Sequence, residues 1–529
     1  MALTYDTTNN IYSLYLARDY LLSEDTLLVE SDLIYDVNIL EGLLKDPRPS
    51  LAVVDKYESW MDGTVVTLDD QDLITSFVPK KFFDFSAVDR YFKTVNIYKF
   101  SKDFSRDVYV PFLAAYSSAL GKNEYYEQVL RVVLELERQE LQGYRLKGEK
   151  WYEIDDVQDK DNAEAVFASP ASEKYKKMTG RFGGYWRYPK IKDFCYLVNP
   201  YFPPQGMMEE CKAYFFDLVS QYPSGANVQR LLAGKMFEVE PESIVVGNGA
   251  AEIIKVLGDV MPGTFGIMQP TFYEYVSSIG EERIVSGFAR GESYIYSIDD
   301  LIQLADQCDN LILVNPDNPS GHFTCREDVI RLLDHLESSN KRLILDESFI
   351  DFVEDRVQQE LLGEEWLERY NNLLIIKSIS KSYGVPGLRL GVAISYDFSL
   401  VEKLQSQLGI WNINSFGEFF LQIIGKYSSH YKASCEQIIE ERERFFQELQ
   451  KISFLTVYPS SANYFIAKVD NGFTSEELAE ALLDKYEILI KDLSKKTGFD
   501  GESYVRLAVR DQGDNDFLVS SLHSMDFDG

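Results

Sequence analysis

The stretch SISKSYGVPGLRLG, residues 378–391, decides how this chain reads. It follows the apolar run LLIIK (373–377) and leads into GVAISY (391–396), so a polar loop joins two strands that are apolar almost throughout. Strands of that kind are buried on both faces, as in a largely parallel sheet covered by helices. The loop carries Lys381 and, eight residues on, Arg389, with Ser378 and Ser380 beside them. A single loop lysine is ordinarily just solvated. Its neighbours along the chain change that reading.

Towards the N-terminus, RLILDESFIDF (342–352) places Asp346 at the end of another apolar strand. A carboxylate there must be paired or hydrogen-bonded, because burying it alone costs too much. NLILVNPDNPSG (310–321) closes the preceding strand with Asn318, a potential donor in a loop stiffened by two prolines. SIVVGNGAAEIIKVLGDVM (243–261) reads as strand, glycine turn and helix. The free N–H groups at that helix start suit a phosphate. Any strand-to-helix turn can use glycine, so this string decides nothing alone. Towards the C-terminus, the amphipathic stretch 432–452 leads to a smaller α+β end containing NYFIAKV (463–469), YEILIKDLS (486–494) and YVRLAVR (504–510). Polar residues thus recur at the strand ends of one sheet, where doubly wound sheets build ligand sites.

Taken in order, YPSG (222–225), GNGAAE (247–252), PTFYEY (270–275), NPDNPSG, DESFIDF, SISKSYGVPGLRLG, WNIN (411–414) and YVRLAVR resemble one family. Residues from about 195 to 529 are similar to fold-type I pyridoxal-phosphate enzymes, the class I/II aminotransferases. Within them the nearest likeness is to histidinol-phosphate aminotransferase and threonine-phosphate decarboxylase. The resemblance implies a large, doubly wound, mainly parallel α/β domain over about 225–400 and a small α+β domain from 196–224 and 415–529. It implies that Lys381 bonds the cofactor aldehyde and later moves a proton, and that Asp346 pairs with the pyridine nitrogen. Asn318 would bond the phenolic oxygen and Phe272 would stack on the ring. Arg389, Ser378, Ser380, Ala250 and Ala251 would hold the phosphate, joined by Tyr222 from a neighbouring subunit of a homodimer with shared active sites. Arg506 would bind the substrate carboxylate or phosphate, with Asn199 of VNPYFPP (198–204) nearby. Many relatives carry tyrosine where this chain has Phe349, which removes one partner of the phenolic oxygen. The activity implied is transfer of an amino group between a small, phosphorylated or phosphonylated amino compound and a 2-oxo acid. Decarboxylation of a phospho-amino acid on the same scaffold is the alternative.

The first 165 residues alternate strand-like and helical runs of a different kind. NNIYSLYLARDYL (9–21), LLVESDLIYD (27–36), KYESWMDGTVV (56–66) and WYEIDDVQD (151–159) resemble sugar-phosphate and cholinephosphate nucleotidyltransferases. That likeness implies that Asp32 and Asp155 bind Mg²⁺. Solvated acidic residues at strand ends are the plainer alternative. No glycine-rich G-x-G-x-R string precedes Asp32, so the expectation is a truncated, inactive domain over 1–165 and a linker over 166–195, rich in Lys, Gly and aromatics. Cytidylyltransferase activity is the competing reading.

Composition narrows the rest. The 529 residues carry 53 Lys and Arg against 85 Asp and Glu, a net charge of −32, which argues against holding nucleic acid by counterion release. Five scattered cysteines without a C-x-x-C pair suit a reduced, cytoplasmic protein. Four histidines, none at metal-ligand spacing, leave a zinc enzyme or a Ser-His-Asp hydrolase little support. No apolar run is long enough for a membrane span.

Overall fold

A computed structural model describes residues 8–119, 122–135, 141–470 and 472–526. The chain divides into two compact units, Met1–Tyr188 and Pro189–Gly529.

In the C-terminal unit the apolar runs form one seven-stranded sheet in the order Ile244–Asn248, Leu390–Ile394, Leu373–Ser378, Arg342–Asp346, Asn310–Val314, Phe265–Gln269, Ile284–Phe288. Leu390–Ile394 runs antiparallel to both neighbours and the other pairings are parallel. Alternate residues supply two separate cores. Leu311, Leu313, Leu343, Leu345, Leu373 and Ile375 join one, while Ile312, Val314, Ile344, Leu374 and Ile376 meet the helix Ala250–Val260 in the other. Both faces are dry, which is why these strands show no polar alternation. A smaller antiparallel sheet orders Leu455–Val457, Tyr464–Val469, Tyr504–Ala508 and Lys491–Asp492, next to the 22-residue helix Ser428–Leu449. This is the two-part α/β arrangement that the strings imply.

One polar cluster interrupts the dry core. Lys377 and Asp351, each at most 2 % exposed, form an ion pair at 2.9 Å. Arg356 pairs with the same carboxylate. Burial pushes the Asp351 carboxyl up, but Arg356 and Lys377 outweigh it and hold it at about 2. Glu347 beside them is pushed up to about 7 by burial, against the pull of Lys377. The cluster ties the strand leading to Lys381 to the short helical turn Ile350–Phe352.

The N-terminal unit has a six-stranded sheet. Ile74–Val78, Val65–Leu68, Phe92–Phe100, Leu51–Lys56 and Gln142–Arg145 lie side by side, and Thr26–Val29 also pairs with Phe92–Phe100. Leu33–Tyr35 and Trp151–Glu153 form a separate two-stranded pair. The stretch NEYYEQVLRVVLELERQELQG, 123–143, has apolar residues at helical spacing, but the helix covers only part of it. A helix spans Glu127–Glu135, residues 136–140 lie outside the described ones, and Gln142–Arg145 is a strand paired with Leu51–Lys56. Sheet pairing overrides helical periodicity there. The stretch 166–195 is also structured, contrary to the expected linker. It contains the helix Ala171–Thr179, and Tyr188 Oη donates to Asn162 at 2.9 Å, so the first unit extends to Tyr188. Lys192–Asp193 pairs with Ile488–Leu489 inside the second unit. No helix among the described residues is long and apolar enough to cross a membrane.

Removing one of the two cations that hold the buried Asp351 carboxylate leaves Arg356 alone against it, so Lys377→Met is expected to cost up to about 3–5 kcal/mol in urea unfolding. Lys451→Met, which removes an exposed pair with Glu448, should cost under about 1 kcal/mol. Equal unfolding midpoints for the two variants would refute the role given to the cluster.

Candidate active site

The residues singled out in the C-terminal unit converge at the carboxyl ends of the parallel strands. Lys381 sits in the short helical turn Ile379–Ser382 that follows Leu373–Ser378. Its turn is held from outside: Asn199 N donates to Lys381 O at 2.9 Å and Asn199 Nδ2 donates to Ser382 O at 2.9 Å. Gly384, at φ +62°, closes the turn, where a Cβ would lie 1.9 Å from the Phe202 carbonyl. Only glycine fits that approach. The Lys381 amine lies over the faces of Phe349 (4.5 Å) and Phe272 (5.1 Å). Burial lowers its pKa to about 8; Arg506 and Arg389 add to the shift and Asp346 opposes it.

Asp346 ends its strand 4 % exposed. It accepts from Tyr275 Oη at 2.8 Å and from Ser348 N at 3.0 Å. Burial and the neighbouring carboxylate keep the Tyr275 phenol protonated, so it remains a donor. Tyr275 was not singled out in the sequence, although it closes the PTFYEY string. Only the sheet order brings it to Asp346.

The turn after Ile244–Asn248 places Gly249 at φ +76° and starts the helix Ala250–Val260 with no side-chain cap. Gly249 N donates to Arg389 O at 2.8 Å, and Arg389 itself holds the left-handed conformation, φ +54°. A Cβ at Gly249 would lie 2.7 Å from the Arg389 guanidinium, and one at Gly391 would lie 2.2 Å from Ala250 N. Bare backbone N–H groups, a helix start and a guanidinium therefore meet in a space kept open by two glycines. That donor set fits a phosphate. Ser378 and Ser380 are buried alongside, with the Ser380 hydroxyl donating to Leu390 O at 3.3 Å.

Arg506 lies on the strand Tyr504–Ala508, where it donates to Asn318 Oδ1 at 2.7 Å and to Cys195 O at 2.8 Å. Its Nε is buried without a partner among the described residues. Asn199, read as a substrate contact, spends its side-chain amide on Ser382 O, Ser434 Oγ and Tyr201 N. In this structure it positions the lysine turn. Tyr222 is 80 % exposed and stacks on Trp411, with ring centroids 4.6 Å apart.

In the N-terminal unit the carboxylates of Glu30, Asp32 and Glu153 approach to within 4.8 Å of one another. They line a cleft of about 820 Å³ that also takes in Asp155 and the buried Lys93. Lys93 pairs with Glu153 at 3.1 Å, and Asn96 Nδ2 donates to Glu30 at 3.2 Å and to Glu153 at 2.8 Å. Burial, and then Asp32, raises the Asp155 carboxyl. The sequence pointed to Asp32 and Asp155; the fold adds Glu30 and Glu153, which no local spacing marks.

A model of the family "Aminotransferase class I and II" matches residues 216–522. A CMP-5'-(3-aminopropyl)phosphonate synthase of Streptomyces rubellomurinus is 31% identical over 98% of this chain and 81% of its own length. An L-serine phosphate decarboxylase of Sulfurospirillum multivorans is 32% identical, over 68% of this chain and 92% of its own. Among solved structures, the histidinol-phosphate aminotransferase of Clostridium acetobutylicum covers 64% of this chain and all of its own at TM-score 0.58 and 28% identity. The chain belongs to the class I and II aminotransferase family. That membership implies pyridoxal phosphate as cofactor, and the phosphate cradle, the strand-end carboxylate and the buried amine fit it. Lys381 would bond the aldehyde, Asp346 would face the pyridine nitrogen, and Arg389 with Ala250 and Ala251 would hold the phosphate. The bound group would supply an electron sink for bonds at the substrate's Cα.

With Lys381 at about 8 against an ordinary 10.5, its amine should be acylated half-maximally near pH 8 in the cofactor-free protein, followed by peptide mass spectrometry. Asp346 opposes the shift, so Asp346→Asn should move that midpoint lower. A midpoint unchanged from that of an exposed lysine would refute the assignment. Gly391→Ala should abolish retention of the cofactor's visible absorbance, because the added methyl meets the Ala250 N–H.

Proposed function

We propose that the C-terminal unit removes the carboxylate of a small α-amino acid that carries a phosphate or phosphonate group. The observation that carries this reading is the placement of the Lys381 amine between the apolar faces of Phe272 and Phe349, where burial lowers its pKa to about 8. A substrate carboxylate brought against those rings is poorly solvated, which favours its loss as neutral CO₂. Lys381 then delivers a proton at Cα, and Arg506 with Asn318 holds an anionic group of the substrate in a fixed orientation. The reading is supported by the likeness to a serine phosphate decarboxylase over most of that protein's length. It is also supported by the name of the Streptomyces relative, whose CMP-linked product carries an aminopropylphosphonate group without a carboxylate.

Transamination, the leading expectation from sequence, is the second reading. The same lysine, half-deprotonated near pH 8, can move a proton from Cα to the cofactor carbon, and a homologous fold serves an aminotransferase. Holoenzyme incubated with O-phospho-L-serine and 2-oxoglutarate separates the two. Decarboxylation gives CO₂ and an amine by mass spectrometry; transamination gives glutamate and a 2-oxo acid. Glutamate formation without CO₂ would reverse the order of the readings. The exposed Tyr222 is proposed to reach the partner's phosphate in a homodimer.

For the N-terminal unit we propose that Glu30, Asp32 and Glu153 hold a divalent cation, with Asp155 at the edge. Carboxylates so close repel one another, and Lys93 offsets only part of their charge. The CMP portion of the relative's named product supports a nucleotide phosphate as the cation's partner. Titration calorimetry with Mn²⁺ should show one site that Asp32→Asn weakens by at least about tenfold. Because the Glu30 and Glu153 carboxyls are raised, chiefly by burial, protons compete and affinity should fall as the pH drops towards 5. Unaltered Mn²⁺ binding in Asp32→Asn would refute the site.

A further inference from the structure

A turn over residues 291–294 follows Ile284–Phe288, the edge strand of the seven-stranded sheet. Arg290 and Ile295 bridge its two ends, and Tyr294 N donates to Gly291 O at 3.3 Å. Its last residue, Tyr294, holds the left-handed conformation at φ +52°. Glycine and asparagine take that conformation readily, whereas a bulky side chain takes it at a cost. Local turn chemistry therefore does not account for a tyrosine here. Its packing does. Tyr294 is 7 % exposed, and its ring centroid lies 4.4 Å from that of Phe499 and 5.2 Å from that of Tyr504. Tyr504 Oη donates to Glu292 O at 2.9 Å, and Glu292 pairs with Lys468 at 2.7 Å. The smaller sheet thus grips the turn through ring packing, a hydrogen bond and an ion pair.

Tyr294 joins Ile466, Leu493, Phe499 and Tyr504 in an apolar cluster separate from the two cores of the larger sheet. The other four buried members come from the smaller sheet and its loop; from the larger sheet's edge only Ala289, partly buried, accompanies Tyr294. Arg506 lies two residues beyond Tyr504 and pairs in register with Ile466. Alternation along a strand puts Tyr504, Arg506 and Ile466 on one face. The guanidinium therefore stands between two anchors on that face. On one side Tyr464 Oη donates to Asp317 O at 2.6 Å. On the other Tyr504 packs on Tyr294.

We infer that Tyr294 is a positioning residue: through Tyr504 it fixes the strand that carries Arg506, and so sets the guanidinium for the substrate's anionic group. This rests on the reading of Arg506 as the residue that holds that group. The left-handed backbone persists because the surrounding rings over-determine it. Tyr294 performs no chemical step and acts only through the strand Tyr504–Ala508.

The test uses holoenzyme and three variants. Tyr294→Gly and Tyr294→Asn suit the turn but remove the ring; Tyr294→Phe keeps it. Hydrogen exchange by mass spectrometry should show the amides of 504–508 opening faster in the Gly and Asn variants and unaltered in Tyr294→Phe. Titration with O-phospho-L-serine, followed by cofactor absorbance, should show affinity falling at least about tenfold in the first two, in line with a misplaced charged hydrogen bond, and restored in Tyr294→Phe. Cofactor retention should stay at the wild-type level in all three. Exchange and affinity unaltered in Tyr294→Gly would overturn the inference, as would equal damage from Tyr294→Phe. Affinity and cofactor retention lost together would assign Tyr294 to general stability and overturn it too. Arg506→Gln separates the underlying reading: wild-type affinity in that variant would refute the role of Arg506, and the exchange over 504–508 would still decide whether Tyr294 fixes the strand.

Discussion

The C-terminal unit depends on holding one half-buried amine between apolar ring faces at the end of a strand buried on both faces. Lys381 would gain far more solvation on the surface. It is held inside because its turn is pinned from two sides, by Asn199 across the lysine turn and by Gly384 where no side chain could pass. The consequence is chemical: burial lowers its pKa to about 8 and leaves it close to neutrality. Asp346 opposes that shift and is itself kept in place by Tyr275 and Ser348. A less rigid frame would let the amine reach solvent and return to its ordinary basicity.

Rigidity of that kind has its own requirement. The strand before Lys381 carries Lys377, which is almost wholly buried and is neutralised by Asp351, a carboxylate it shares with Arg356. Buried pairs of this sort add little net stability, since desolvation nearly cancels attraction, but they tolerate few alternative arrangements. In this structure the pair fixes the strand against the turn Ile350–Phe352, and with it the starting point of the lysine turn. Two lysines four residues apart thus have opposite fates. One is fully compensated and structural. The other is left with aromatic faces and a distant carboxylate, available for chemistry.

Recognition of charged groups divides among three places with different physics. At Gly249 and Ala250 the donors are backbone N–H groups on a helix start, backed by Arg389, and glycine is needed because any Cβ would fill the cradle. At Arg506 a guanidinium is oriented by Asn318 and a carbonyl, without a carboxylate to neutralise it. In the N-terminal unit the polarity is inverted, with carboxylates gathered around one buried lysine. A chain of net charge −32 therefore concentrates its cations where anions are proposed to bind.

The sequence by itself determined the strand ends. Apolar runs of five or six residues, each closed by a glycine, asparagine, aspartate or lysine, are a local signal, and so Asp346, Lys381, Arg389 and the GNGAAE turn could be read in order. Tyrosine 275, the Lys377–Asp351 pair, the extension of the first unit to Tyr188, the company of Glu30 and Glu153 around Asp32, and the packing of Tyr294 on Tyr504 were decided only by the tertiary structure. Each depends on which elements lie next to each other in the fold, and periodicity carries no information about that. The strand at Gln142–Arg145 makes the same point in reverse: its first residues continue a helical pattern, and the ladder with Leu51–Lys56 takes up their backbone groups instead.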